Sequence, residues 1–192
     1  MKKNAIEDIL NYWFEGVDDT VIIRKKDRPF CKWFFSNKRM DTEIKERFEI
    51  NLKQATEGEY KDWEESMRGR LALILLFDQF SRNIYRHRSH MFAYDDLAVE
   101  LSLRSIHENR DQELQFIERV FLYMPFMHAE DLEKQKISVK CFIRLVEDVK
   151  KLNVQNISYY EYHLSYAQKQ QAIIVQHGRF LHRDAVRYKT PS

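Results

Sequence analysis

Apolar residues recur along most of the chain at the three- and four-residue spacing of one helix face. Ile6, Ile9, Leu10, Trp13 and Phe14 set the first stripe, with Asn4 placed to cap it and residues 16–19 to stop it. Residues 21–28 are ambiguous: three β-branched side chains, then a basic run. Phe30, Trp33, Phe34 and Phe35 predict a short helix packed into the core. Asp41 is the candidate cap of a helix striped by Ile44, Phe48, Leu52 and Ala55 and ended at Gly58. Trp63 falls in a polar loop. Stripes through Leu97, Leu101 and Ile106, then through Phe116, Val120 and Tyr123, predict helices over 92–109 and 113–124. Pro125 has no N–H to donate and reads as opening the next helix, which runs to about residue 150 with Val139, Phe142, Ile143 and Val146 inward. A loop over 153–158, a helix over 159–176 ended by Gly178 and a basic tail complete the pattern.

One stretch breaks the periodicity. Residues 71–77, LALILLF, have no polar face, and a helix apolar all round is a buried helix. Asp78, Gln79, Ser81, Arg82, Asn83 and Arg86 follow at once. Charges at the end of a buried helix must be paired or must open onto a cleft. The pattern predicts one all-α domain over residues 1–192, with a polar site where the central helix emerges from the core.

Composition narrows the classes. Four Gly and three Pro are too few for the many tight turns of an all-β chain. The 32 basic and 30 acidic residues leave no global field to attract nucleic acid or an anionic membrane. No apolar run approaches the roughly 20 residues of a membrane helix, and the N-terminus has no signal-peptide core. Cys31 and Cys141 lie far apart and read as reduced thiols of a cytoplasmic protein. No metal-ligand spacing, phosphate-cradling Gly loop, G-x-S-x-G or CxxC pair occurs, so neither metal nor cofactor is expected. No repeat of 30–40 residues stands out.

Three constellations could carry chemistry. In the first, Asp78 and Arg82 are one helical turn apart, as are Gln79 and Asn83. This is either a structural pair or a guanidinium held by a carboxylate and offered to an anion. The second is His128 with Glu130, Asp131 and Gln135: His128, Asp131 and Gln135 are spaced to share one helical face, and a histidine beside carboxylates can act as acid or base. The third is the basic turn His177-Gly178-Arg179, with His182, Arg183 and Asp184, which either terminates a helix favourably or forms an anion-binding wall. Asp78, Arg82, His128, Asp131, Arg179 and His182 are expected to converge on one cleft, with Arg82 facing solvent there.

Across nearly its whole length the chain resembles the domain-of-unknown-function 924 family. The match is carried by Trp13-Phe14, Trp33-Phe34, Asp41, Ile44, Phe48, Gly58 and Trp63. It continues through residues 71–74 with Asp78-Gln79-Phe80 and Arg82-Asn83, then Phe92-Ala93 and Asp95, residues 121–126 with His128, Glu130 and Asp131, and Gly178-Arg179-Phe180 with His182-Arg183. The resemblance implies an all-α, right-handed superhelix of the tetratricopeptide-repeat-like class and no established activity. Departures cluster late: Ala129 for Ser, Gln170 and Ala172 for His and an acid, His177 for Phe, Leu181 for Pro and Asp184 for Asn. The chain ends at Ser192, where members usually continue into a short helix.

The leading expectation is a binding protein for a small anion or peptide, lined by Asp78, Gln79, Arg82, Asn83, His128, Glu130, Asp131, Arg179, His182 and Arg183. The alternatives are a metal-independent enzyme with His128 or His182 as acid–base, and a scaffold whose polar residues only pair.

Overall fold

A computed structural model describes residues 2–152 and 155–187. It is all-α, with no strand among the described residues. In chain order it contains α1 (Lys2–Phe14), α2 (Arg28–Phe34), α3 (Lys38–Thr56), α4 (Met67–Ile74), α5 (Ser81–Ile84), α6 (Asp95–His107), α7 (Phe116–His128), α8 (Leu132–Lys151), α9 (Ile157–His177) and α10 (Asp184–Arg187). Short 3-10 turns lie at Lys61–Glu65, Ser89–Phe92, Asp111–Glu113 and Leu181–Arg183. No described helix is long and apolar enough to cross a membrane. The expected 153–158 loop and basic tail fall partly outside the described residues.

The apolar run folds as the core helix. α4 passes without interruption through a π-helical segment, Leu75–Phe80, into α5, and every residue from Leu71 to Phe80 is buried. α1, α3, α6 and α7 pack around it. Phe80 lies 4.9 Å from the Phe48 ring and 5.4 Å from Trp13, while Phe121 of α7 lies 5.2 Å from Trp33 and 5.6 Å from Trp13. Each such side chain contributes about 1.5–3 kcal/mol by leaving water, which is why this lattice organises five segments around one centre.

Several expectations change. Asn37, not Asp41, caps α3, accepting from the Arg39 and Met40 amides at 3.0 and 3.3 Å. Asp41 sits in the first turn and turns toward the central helix instead. Trp63 is not in a polar loop; it is 2% exposed in a 3-10 turn, stacked on Tyr60 at 4.0 Å. Pro125 does not open a helix. α7 runs through it to His128, because residues 117–127 are all buried and their packing outweighs one missing hydrogen bond. The break comes at Ala129, and Asp131 then caps α8 by accepting from the Lys134 amide at 2.8 Å. His128, Asp131 and Gln135 therefore do not share one helical face. Gln135 is buried and donates to the Met127 and Ala129 carbonyls, tying down the turn between α7 and α8.

Two polar staples hold the ambiguous segment after α1. Asp19 accepts from the Phe116 and Ile117 amides, at 2.9 Å each, and so caps α7 from 97 residues away. Asn156 accepts from the Ile23 amide at 2.9 Å and donates to the Val21 carbonyl.

Candidate functional site

Asp78 lies at the end of the apolar run and is 0% exposed. Such a carboxylate must be compensated, and each of its neighbours does so. His128, at the last turn of α7, places Nδ1 at 2.7 Å from Asp78 Oδ1. Gln79 donates to the other oxygen at 2.5 Å. Arg82, one turn on, holds Nη1 3.3 Å from Oδ1 and donates to the Asp78 carbonyl at 2.7 Å. Burial alone would push the Asp78 carboxyl up, but the Arg82 guanidinium and then His128 outweigh it and hold the group well below the usual carboxylate range.

The cluster extends through Asp95 at the start of α6. Its carboxylate sits 2.9 Å from Arg82 Nη1 and 3.2 Å from Arg183 Nη1. Arg183, 5% exposed, also donates to the His128 carbonyl at 2.7 Å and lies over the Phe92 ring at 4.2 Å. A parallel pair stands beside it: Asp41 accepts from Arg86 Nε at 2.6 Å, Arg86 Nη2 at 2.8 Å and Asn83 Nδ2 at 2.8 Å.

His128 is the hinge of the site. Facing the Asp78 carboxylate, Nδ1 is the donor of this contact, and Nε2 has no partner among the described residues. Its ring lines three recesses. One, about 190 Å³, carries Lys32, Ser36, Gln79, Arg82, Asn83 and Arg86 on its walls. A second, about 340 Å³, is bounded by Asp95, Asp96, Glu130, Asp131, Lys134 and Arg183. A third, about 200 Å³, is mostly aromatic. A more open cleft of about 540 Å³ meets the first recess at Lys32, Phe35, Ser36 and Met40, and contains none of the site residues expected from sequence.

The residues expected from sequence divide as follows. Asp78, Gln79, Arg82, Asn83 and His128 come together around the first recess. Glu130, Asp131 and Arg183 meet His128 at the second, where Glu130 also accepts from the Phe180 amide at 2.7 Å. Arg179 and His182 line neither recess. Arg179 is paired with Asp184 at 3.2 Å, and His182 is exposed beside Phe180. The His182 imidazole is pushed down by partial burial and by the Arg183 guanidinium. Sequence reasoning missed Lys32, Arg86 and Asp95 as wall residues. The signal for Lys32 was a single cation embedded in the aromatic run of α2; the signal for Asp95 was its place at a helix start close to Arg82. No group of three or more His, Cys, Asp or Glu among the described residues is arranged to hold a metal ion.

Fold and site define an all-α protein with a buried Asp–Arg–His cluster opening on small recesses. The chain belongs to a family of bacterial proteins of unknown function, DUF924, whose profile matches residues 9–191. It is similar to a solved structure titled as a protein of unknown function, ATU0120, from Agrobacterium tumefaciens. That likeness has 29% identity and a TM-score of 0.75, covering 100% of this chain and 94% of the other. No curated protein matches the chain.

Proposed function

We propose that this protein binds a small organic anion, a phosphate ester or a carboxylate, in the recess beside Arg82 and Arg86. One observation carries the reading: the described walls of that recess hold Lys32, Arg82, Arg86 and His128 with the neutral donors Ser36, Gln79 and Asn83, and no carboxylate. The cations are paired with Asp78, Asp41, Asp95 and, for Lys32, Glu15, none of which lines the recess. The aspartates orient the guanidinium forks at the recess wall. Arg82 Nη2, itself buried, has no partner in the protein, a deficit that a shift of the guanidinium toward a bound anion would relieve. A right-handed, tetratricopeptide-repeat-like stacking of the helices belongs to this reading, since such stacks present ligands with a concave face.

Methyl phosphate is the probe. Isothermal titration and thermal melting of the wild type should show one site, with the melting temperature rising by mass action. Arg86→Lys keeps the charge and loses the fork, so the same titration should weaken and the shift shrink. Equal shifts in both proteins would mean that the anion sits elsewhere.

A second reading has its own support. His128 Nδ1 is fixed 2.7 Å from a fully buried carboxylate, the arrangement that orients an imidazole as general base. A metal-independent hydrolase built on it would turn over members of a phosphoester and amide panel, and His128→Gln would abolish turnover while leaving anion binding largely in place. Binding without turnover across the panel would retain the first reading alone.

A further inference from the structure

The recess on the other face of His128 extends the site from an anion pocket to a pocket for a particular class of anion. It is walled by Phe30, Phe34, Met127, Tyr162, His163 and Tyr166, and it shares Phe34, Phe35, Met124 and His128 with the cationic recess. The two spaces therefore adjoin at these four side chains, the imidazole among them. Its volume, about 200 Å³, suits a single ring, since apolar cavities of about 150 Å³ take up benzene.

A second observation is independent of shape. His163 is 2% exposed, and its Nε2 has no hydrogen-bond partner. The ring is packed 4.6 Å from Tyr159, 5.2 Å from Phe34 and 6.1 Å from Phe142. Burial pushes its imidazole down to about 3, so near neutral pH the ring is uncharged, with one nitrogen to give and one to receive. Buried polar groups in native proteins are almost always satisfied, and an orphan of this kind calls for an explanation. Phenylalanine would fill the same place without that cost. His163 lines this ring-sized recess, and a hydroxyl of the bound molecule that reached its imidazole would account for the orphan.

We infer that the ligand is an aryl phosphate or aryl carboxylate: its anion beside Arg82 and Arg86, its ring in the aromatic recess, and a polar ring substituent on His163. The inference rests on the anion-binding reading above. It makes His128 the residue that faces the bond between ring and anion.

Titrations with methyl phosphate, phenyl phosphate and 4-hydroxyphenyl phosphate separate the parts. The wild type should bind phenyl phosphate about tenfold or more tighter than methyl phosphate, as ring burial requires, and the hydroxyl should add a further gain. Tyr166→Ala opens the recess wall at a side chain already 42% exposed. It should reduce the ring's advantage and leave methyl phosphate unchanged. His163→Phe should remove only the hydroxyl's gain, while raising the melting temperature of the free protein by about 2–4 °C as an unsatisfied buried group is lost. If methyl phosphate binds and the ring adds nothing, this inference falls and the anion site stands. If no probe binds, both fall. A ring advantage untouched by Tyr166→Ala, or a lowered melting temperature in His163→Phe, also overturns it.

Discussion

Arg82 and Arg86 stand one turn apart, each salt-bridged to an aspartate, yet they differ sharply in what their loss would expose. Arg82 compensates Asp78, which has no access to water. Arg82 lines the recess, but the expectation that it is cheap to replace is corrected by the burial of Asp78. Arg82→Ala should cost about 3–5 kcal/mol in urea unfolding at neutral pH, because it strands a buried charge. Arg86→Ala should cost about 1 kcal/mol or less: the pair is partly solvated, and Asp41 keeps the Asn83 amide. Asp78 also sets a pH dependence. Its folded-state value is depressed, so its contribution is complete above the ordinary value of 3.8 and is lost as pH falls toward the folded one. Asp78→Asn should lower stability at neutral pH and flatten the decline of the urea midpoint between about pH 4 and about pH 2. An unchanged acid slope would remove Asp78 from the account.

At the scale of the element, helix stripes were legible because burial follows the 3.6-residue period, and the unbroken apolar run at residues 71–77 did become the buried helix. Starts and stops were less so. A cap depends on which candidate takes the extended conformation, and Asn37 holds it with φ −144° and ψ 109°, leaving Asp41 free for a tertiary role. Pro125 was misread for a related reason: local propensity is weaker than eleven consecutive buried positions in α7. Gly69 carries a constraint invisible in sequence. A Cβ there would lie 2.1 Å from the Trp63 carbonyl oxygen, so the Lys61–Glu65 turn lies against bare backbone at the start of α4. Gly69→Ala, ordinarily favourable in a helix, should here destabilise by about 1–3 kcal/mol through overpacking. A melting curve at or above that of the wild type would show that the turn can yield.

For the whole molecule, the candidate site is legible only in part because it is assembled from remote segments. Asp78 with Arg82 could be read from a one-turn spacing. The approach of His128, Asp95 and Arg183 could not, since it depends on how α6, α7 and the turn before α10 pack against the central helix. Arg179 and His182 share the basic turn with Arg183, yet that turn is buried on one side only, and the inward side belongs to Arg183. Of the aromatic recess, the sequence shows only Phe30, Phe34 and Phe35, as core, because periodicity tells which side chains turn inward and not whether they meet. Anion binding should accordingly protect segments far apart in the chain, the end of α2, α5 and the end of α7 together, in hydrogen exchange. Protection confined to one helix would argue for a surface site.

The members of the Asp78 cluster also lie in an order that matters to a chain made from its N-terminus. Arg82 leaves the ribosome four residues behind Asp78, and Asp95 follows soon after; His128 arrives 50 residues later, and Arg183 last, 88 residues beyond Asp95. A nascent chain therefore carries its central charge already neutralised by a neighbour within one turn, through the interval in which no tertiary partner exists. The apolar run beside it can collapse early without dragging a bare carboxylate into the interior. The remote groups come last, and the imidazole can meet its carboxylate only when α7 has emerged.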